Sequence, residues 1–211
     1  TNPMVMRVAG LAYQKGFGGH FHNDNSLAVF RDIPGIIIAV PSNGLVAVRM
    51  MRTCVREALE RGRVSVFIEP IALYMTKDLH KDGDRGWSFS YPPVQDEISL
   101  GEFGIYGAGR DILIITYGNG YYYTRQAEAE IKEKLDIKAQ IIDLRWIAPI
   151  NWDDLMDVIK NHKNVLIVEE CRKTGSLSEG LVAGIIERTP KGETAPKIKV
   201  VAADDSFIPL G

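Results

Sequence analysis

The sequence predicts an α/β fold with a mostly parallel sheet that is covered by helices. Short, continuous apolar runs such as 36–40 and 112–115 alternate with segments whose apolar residues recur every three or four positions. Strands buried on both faces are apolar throughout, so this alternation is typical of successive right-handed β-α-β units. We therefore expect a sheet with helices on both of its faces.

This alternation is lost over residues 75–100, which are charged and rich in turn-forming residues and contain Tyr91-Pro92-Pro93. We interpret them as a linker between a first unit, residues 1–74, and a second unit, residues 101–211. The first unit is predicted to begin with a strand, a loop and a short helix, and the later strands predicted are 35–40, 64–68, 111–117, 138–144, 164–168 and 197–202. The helices predicted are 43–61, with Asn43 as N-cap and Gly62 as stop, a helix ending near 135, 152–161 and 177–188.

Composition and charge exclude several classes of function. A net charge of −2 gives no basic surface for nucleic acid. No apolar run reaches the roughly 18 to 20 residues that span a bilayer, and Thr1-Asn2-Pro3 does not open a signal peptide. Two cysteines form no disulfide framework, so reduced thiols and a cytoplasmic location are expected.

The candidate site lies in the glycine-rich segment from Gly16 to Ser26, which contains His20-Phe21-His22. Glycines let the backbone approach a ligand closely, and imidazoles titrate near neutral pH. The alternative interpretation is an ordinary surface turn. No metal site is predicted, because no metal-ligand spacing accompanies the two histidines.

Other polar groups are interpreted as structural. The glycines of 104–109 precede a strand instead of following it, which argues against a dinucleotide site. Gly118-Asn119-Gly120 lies between a strand and a helix, and we prefer a plain turn there to an anion site. We assign no catalytic role to the charged residues Glu69, Arg145, Glu169, Glu170 and Arg172. Glu169, Glu170 and Arg172 follow a predicted strand and are interpreted as a solvated or interface cluster.

The order of motifs resembles that of thiamine-diphosphate enzymes: the second half of a pyrimidine-binding domain, then a C-terminal domain of the transketolase type. The beta parts of 2-oxo acid dehydrogenase first components are the relatives it most resembles, including the single-chain type in which alpha and beta parts are fused. The matching motifs are His22-Asn23-Asp24-Asn25, Phe30 to Gly35, Pro41-Ser42-Asn43, Phe67-Ile68-Glu69-Pro70, Ile142-Asp143-Leu144-Arg145, Pro149-Ile150, Val168-Glu169-Glu170, Arg172-Lys173-Thr174-Gly175 and Phe207-Ile208-Pro209-Leu210.

The resemblance implies oxidative decarboxylation of pyruvate or a branched-chain 2-oxo acid, with acyl transfer to a lipoyl carrier. It implies thiamine diphosphate and Mg²⁺ as cofactors, both bound chiefly by parts of the protein outside this chain. The implied partners are an alpha-type diphosphate-binding domain, in the same polypeptide or a separate subunit, a lipoyl-bearing acyltransferase and a second copy of the chain. In this scheme His22 is the catalytic acid–base group, while His20 and Phe21 contact substrate.

One departure from the family pattern is Asp32, which stands where the family has a second histidine. The glutamate that activates the cofactor in the family falls before Thr1, so we expect these 211 residues alone to be inactive. Two alternatives remain open. One is a ketol transferase like transketolase or deoxyxylulose-phosphate synthase, and the other is a non-catalytic module for assembly or dimerisation.

Overall fold

A computed structural model describes residues 2–11 and 25–208 of the chain. These residues form two sheets with helices packed against them. The first half contains β1 (Met4–Gly10), α1 (Ala28–Arg31), β2 (Ile37–Ala39), α2 (Gly44–Arg61) and β3 (Val64–Pro70). The second half contains β4 (Gly104–Tyr106), β5 (Ile112–Thr116), α3 (Asn119–Leu135), β6 (Ala139–Asp143), β7 (Trp146–Ala148), α4 (Trp152–Ile159), β8 (Asn164–Arg172), α5 (Leu177–Arg188) and β9 (Lys197–Ala203).

The strand order is β1-β3-β2-β7 in the first sheet and β4-β6-β5-β8-β9 in the second. Every neighbouring pair is parallel except β2 with β7 and β4 with β6. The predicted α/β class with mostly parallel strands and a three-layer αβα arrangement is therefore confirmed. The antiparallel strands β4 and β7 are absent from the sequence prediction, because three residues are too few to establish an alternating pattern.

The two ends and the buried face of helix α2 follow from its local sequence. The Asn43 side chain accepts a hydrogen bond from Val46 N at 3.0 Å, which satisfies one of the free amides of the first turn. Gly62 ends the helix with φ 64°, a backbone conformation that costs a residue with a Cβ. The buried face includes Met50 and Cys54, which supports the interpretation of the methionine as core. Both predicted ends of this helix are confirmed.

Strand β7 belongs to the second half of the sequence but pairs with the first sheet. Ala39 and Ile38 of β2 are opposite Trp146 and Ala148 of β7, and Val40 N donates to Arg145 O at 2.7 Å. The chain leaves β6 in the second sheet and reaches β7 through Arg145, whose φ is +61°. The two halves are thus joined by backbone hydrogen bonds as well as by side chains.

The segment predicted as a linker, 75–100, has no helix or strand and packs against both halves. Trp87 is buried, donates from Nε1 to Ser42 O at 3.2 Å, and lies 5.6 and 5.0 Å from the rings of Tyr121 and Tyr122. His80 is exposed, as expected for a solvated histidine. These contacts hold the segment against α3.

The carboxyl ends of β1, β2 and β3 face the carboxyl end of β5. A Cβ built on Gly118, just after β5, would lie 3.1 Å from Leu11 and Val40 and 3.4 Å from Pro70. One apolar cluster contains Leu11 and Val40 together with Ile115 of the second sheet. Because active-site residues of open α/β folds gather at the carboxyl ends of strands, this junction is where the candidate site is built.

Candidate functional site

The predicted site residues His20, Phe21 and His22 lie outside the residues that the structure describes, so their roles remain predictions. The residues on either side of segment 12–24 are described. Leu11, the residue after β1, is 1% exposed and has φ +51°, and Asn25 is 6% exposed. Both flanks of the segment are therefore buried between the two halves.

The flank at Leu11 is held by the first residue of α3. The side-chain nitrogen of Asn119 donates to the Leu11 carbonyl oxygen, and the Asn119 side chain is 2% exposed. Gly118 favours this approach, because a side chain there would be strained at its φ of +53° and crowded against Leu11 at 3.1 Å. The interpretation of Gly118-Asn119-Gly120 as a turn agrees with this geometry.

The flank at Asn25 is held by the carboxylate that Asn119 also contacts. Asn25 Nδ2 lies 3.4 Å from Glu170 Oε1 and 3.5 Å from the Glu170 carbonyl oxygen, and Asn119 Nδ2 donates to Glu170 Oε2. We call the set Leu11, Asn25, Asn119 and Glu170 the Glu170 bridge. One carboxylate and one amide thus join the residue before the segment to the residue after it.

Further contacts tie residues after Asn25 to the second half. An Arg172 guanidinium nitrogen donates to Ser26 Oγ, and Arg31 Nη1 donates to the Ser176 carbonyl oxygen at 2.8 Å. A cavity of about 530 Å³ lies beside the bridge, lined by Asn25, Glu170, Arg172, Asp204 and Ser206, with Ala203, Phe207 and Ile208. Its lining includes both signs of charge and an aromatic ring.

Glu169 and Glu170, adjacent in sequence, have different environments because they lie within β8. Burial alternates along that strand, and Glu169 is 5% exposed whereas Glu170 is half-buried. The Glu169 carboxylate accepts from Tyr117 OH at 2.8 Å, Ser176 Oγ at 2.5 Å and Ser178 N at 3.0 Å. Glu169 is therefore a buried structural group, and of the two alternatives expected for the cluster, solvated or interface, the solvated one is wrong for Glu169. The strand continues beyond the predicted end at 168, which produces the alternation.

Cys171 lies beside the hydrogen bonds of Glu169 and is buried with them. Cys171 Sγ lies 3.3 Å from Tyr117 OH, and both residues are buried. Burial raises the pKa of the Cys171 thiol to about 12 and raises the pKa of Tyr117 well above its usual value. A buried thiol with a raised pKa is typical of a structural cysteine, so we assign Cys171 no catalytic role.

Glu69, interpreted from sequence as a structural group, forms an ion pair across the first sheet. It accepts from Arg7 Nε at 2.6 Å and from Tyr74 OH at 2.6 Å. The hydrogen bond from Arg7 lowers the pKa of Glu69. The carboxylate is thus ionised and held by its own neighbours.

Asp143 and Arg145 link β6 to the first half. Ser42 Oγ donates to Asp143 Oδ2 at 2.5 Å, and Arg145 Nε lies 3.5 Å from the same oxygen. Arg145 Nη1 lies 3.7 Å from Glu102 Oε1. Burial raises the pKa of Asp143 to about 6, although Arg145 and Ser42 act in the opposite direction. Sequence reasoning singled out Arg145 but missed Asp143, because nothing local marks that carboxylate as buried.

No cluster of three or more histidine, cysteine, aspartate or glutamate side chains suited to a metal ion occurs among residues 2–11 and 25–208. The carboxylates at 69, 143, 169 and 170 instead accept hydrogen bonds from protein donors. In the same part of the chain, no helix is both long and apolar enough to cross a bilayer.

The chain is similar to two enzyme subunits over almost all of its length. It is 30% identical over 193 residues to the mitochondrial 2-oxoisovalerate dehydrogenase subunit beta of Dictyostelium discoideum, covering 91% of this chain and 48% of the relative. It is 27% identical over 212 residues to the pyruvate dehydrogenase E1 component subunit beta of Bacillus subtilis, covering 98% of this chain and 58% of the relative. The chain thus spans about half the length of these curated relatives.

The fold is also that of a solved structure, a split-gene transketolase described as an inactive beta4 tetramer. The TM-score is 0.66 with 20% sequence identity, covering 95% of this chain and 56% of the other. The family model for the transketolase C-terminal domain matches residues 101–206, half of the chain. That range includes β5, α3 and β8, the elements that carry Asn119 and Glu170. The chain therefore belongs to the transketolase C-terminal domain family.

Proposed function

We propose that this chain is the beta-type part of a thiamine-diphosphate-dependent 2-oxo acid dehydrogenase. The complete enzyme decarboxylates pyruvate or a branched-chain 2-oxo acid oxidatively and passes the acyl group to a lipoyl carrier. The observation that carries the proposal is the similarity over 91% and 98% of this chain to two proteins named as beta subunits of such dehydrogenases. That similarity extends beyond the matched C-terminal domain into the first half, which contains the histidine segment.

Thiamine diphosphate supplies the electron sink of this chemistry when bound, and proteins that use it contribute positioning and proton transfers. We propose that thiamine diphosphate and Mg²⁺ are bound chiefly by parts of the protein other than this chain. The contribution of this chain is then the group that moves protons near the reacting carbon.

His22 is the residue proposed for that proton transfer, with His20 and Phe21 contacting the substrate. An imidazole has its pKa close to the pH at which the enzyme works, which suits an acid–base group. Leu11 and Asn25, the flanks of the segment that carries His22, are buried where the carboxyl ends of both sheets meet. This is the region in which open α/β folds hold their reacting groups.

The proposed partners follow from the same reaction. An alpha-type domain binds the diphosphate, a lipoyl-bearing acyltransferase receives the acyl group, and a second copy of the chain completes a dimer. A cytoplasmic location is part of the proposal, although the Dictyostelium relative is named as mitochondrial. The boundaries 1–74, 75–100 and 101–211 remain the proposed domain division.

The test uses the complete protein with its alpha-type part, thiamine diphosphate and Mg²⁺. Decarboxylation of pyruvate and of 2-oxoisovalerate is measured with an artificial electron acceptor, and acyl transfer with a lipoylated domain. Ketol transfer from a ketose phosphate is measured in parallel. Turnover of a 2-oxo acid with transfer to the lipoyl group supports the proposal, whereas ketol transfer without 2-oxo acid oxidation replaces it with the transferase function. The 211-residue chain alone serves as the inactive control.

A further inference from the structure

We propose that a cavity at the carboxyl ends of β2 and β3 is a binding site for an uncharged, mainly apolar small molecule. The cavity has a volume of about 460 Å³ and lies between the first turns of α2 and the segment that follows β3. We call it the Trp87 cavity, after the ring that forms one of its walls. Cavities of about 300 to 1,000 Å³ are the size in which proteins bury small ligands. This inference does not depend on the proposed function.

The walls of the Trp87 cavity are mainly aromatic and aliphatic. The rings of Tyr74, Trp87 and Phe89 line it, together with Leu73 and Ala47. Trp87 is 5% exposed and lies inside, whereas Tyr74 and Phe89 are 53% and 43% exposed. Large apolar side chains that are exposed beside a cavity are typical of a binding site, because apolar surface left in water is unfavourable.

Hydrogen bonds and ring contacts hold the tryptophan wall in place. Trp87 donates from Nε1 to the Ser42 carbonyl oxygen at 3.2 Å and from its backbone nitrogen to the Lys77 carbonyl oxygen at 2.9 Å. Its ring packs edge-on against Phe89 at 5.8 Å and against Tyr122 at 5.0 Å. The cavity is therefore formed before a ligand arrives, which lowers the entropic cost of binding.

The hydroxyl and amide side chains that line the cavity already have partners within the protein. The Asn43 side chain caps α2 by accepting from Val46 N at 3.0 Å. The hydroxyl bonds run from Ser42 to the Asp143 carboxylate, from Thr76 to the Ala72 carbonyl oxygen and from Ser88 to the Lys77 carbonyl oxygen. A ligand thus finds few polar side chains to bind, and its binding free energy comes chiefly from apolar contact.

The charges at the cavity argue against an anionic ligand. Among the described residues that line it, Glu69 alone has a charged side chain. The Glu69 carboxylate accepts from Arg7 Nε and from Tyr74 OH, both at 2.6 Å, and the hydrogen bond from Arg7 lowers the pKa of Glu69. A carboxylate or phosphate entering the cavity would lose water without meeting a cationic side chain.

A cationic ligand is not favoured either, because Arg7 already pairs with the Glu69 carboxylate and Tyr74 occupies it further. The ligand that fits is therefore an uncharged molecule with aromatic or aliphatic groups. Aromatic groups gain most, since edge-to-face contacts with rings such as those of Trp87 and Phe89 add to the effect of burial. A 2-oxo acid and a diphosphate are both anions and do not have this chemistry.

The experiment uses the complete protein and two fluorescent dyes that share one skeleton. N-phenylnaphthylamine is uncharged, and anilinonaphthalenesulfonate has a sulfonate on the same rings. Both dyes become brighter in apolar surroundings, so titration gives a dissociation constant for each. We expect the uncharged dye to bind at the Trp87 cavity and the sulfonate to bind there at least about tenfold more weakly, because it meets no cationic side chain.

Two variants locate the dye. Ala47→Leu fills the cavity from a half-buried position on α2, where leucine is a good helix former. It should raise the dissociation constant of the uncharged dye by about tenfold or more. Phe89→Ala removes a half-exposed ring from the wall and should raise it about three- to tenfold. Ala129→Leu, the same change at an exposed position of α3, is the matched control and should leave binding unchanged.

Three results would overturn the inference. The first is that the uncharged dye does not bind, and the second is that folded Ala47→Leu and Phe89→Ala bind it as tightly as the wild type. The third is that the sulfonate binds as tightly as the uncharged dye and is weakened equally by the two variants, which contradicts the chemical class. Should Ala47→Leu fail to fold, Phe89→Ala alone decides. The proposed function stands in each case, since it assigns no role to a residue of this cavity.

Discussion

Ser42 and Asp143 join the two halves of the chain through a buried hydrogen bond of 2.5 Å, although 101 positions separate them in sequence. Ser42 follows β2 of the first sheet, and Asp143 ends β6 of the second. Trp87 donates to the carbonyl of the same serine, so the segment between the sheets closes over this contact. A carboxylate buried in this way makes stability sensitive to pH.

Asp143→Asn should flatten the dependence of stability on pH between about 4 and 6. Burial raises the pKa of Asp143 in the folded protein to about 6, above the ordinary value of 3.8. The stabilisation by the protonated form is thus complete below the unfolded pKa and is lost as pH rises through the folded pKa. A shift of this size corresponds to on the order of 3 kcal/mol. Urea unfolding at several pH values measures it.

The control for that experiment is Asp82→Asn, which makes the same change at an exposed position. It should leave the pH dependence of the wild-type protein intact. An Asp143→Asn protein whose free energy of unfolding still falls between pH 4 and 6 as steeply as the wild type would show that another group causes the effect.

Gly118→Ala should lower the free energy of unfolding by about 1 to 3 kcal/mol, since it adds strain in a left-handed backbone conformation and crowding. Gly118 has φ +53°, and the added Cβ would lie 3.1 Å from both Leu11 and Val40. Gly44→Ala is the matched control, because its Cβ would meet nothing within 4 Å and it begins helix α2. Thermal unfolding of the two variants distinguishes them, and equal midpoints would contradict the proposed close approach.

Glu169→Ala should lower the free energy of unfolding by about 3 kcal/mol, because buried donors lose their acceptor. The donors are the Tyr117 hydroxyl, the Ser176 hydroxyl and the Ser178 amide. Glu193→Ala, at an exposed position, should change stability by less than about 0.5 kcal/mol. Chemical denaturation of both variants provides the comparison, and a stable Glu169→Ala protein would mean that water replaces the carboxylate.

His22→Ala in the complete enzyme should lower acyl transfer to the lipoyl acceptor by about two to four powers of ten, the usual contribution of an acid–base group. Cofactor binding should persist, and decarboxylation measured with an artificial acceptor should suffer less because that assay bypasses the sulfur chemistry. His20→Ala should be milder in both assays. Normal acyl transfer by His22→Ala together with an inactive His20→Ala would identify His20 as the functional imidazole.

Local sequence patterns predict individual residues of the candidate site, but they do not predict the contacts between those residues. The pattern of residues directed attention to His22, and it marked Glu170 and Asn119 only as members of a charged cluster and a turn. The contact of Glu170 with Asn25 and the contact of Asn119 with Leu11 each join residues that are more than 100 positions apart in sequence. No local pattern contains information on such a pairing.

The sequence by itself determined the class of fold and the order of its longer elements. Helix α2 follows from Asn43, the apolar stripe with Met50 and Cys54, and Gly62, because capping and amphipathicity are local properties. Only the tertiary structure decided that β7 crosses to the first sheet, that Asp143 is buried beneath Ser42, and that Glu169 and Glu170 have different surroundings. Those features depend on strand register and on which surfaces meet, and both are set by contacts between residues far apart in the chain.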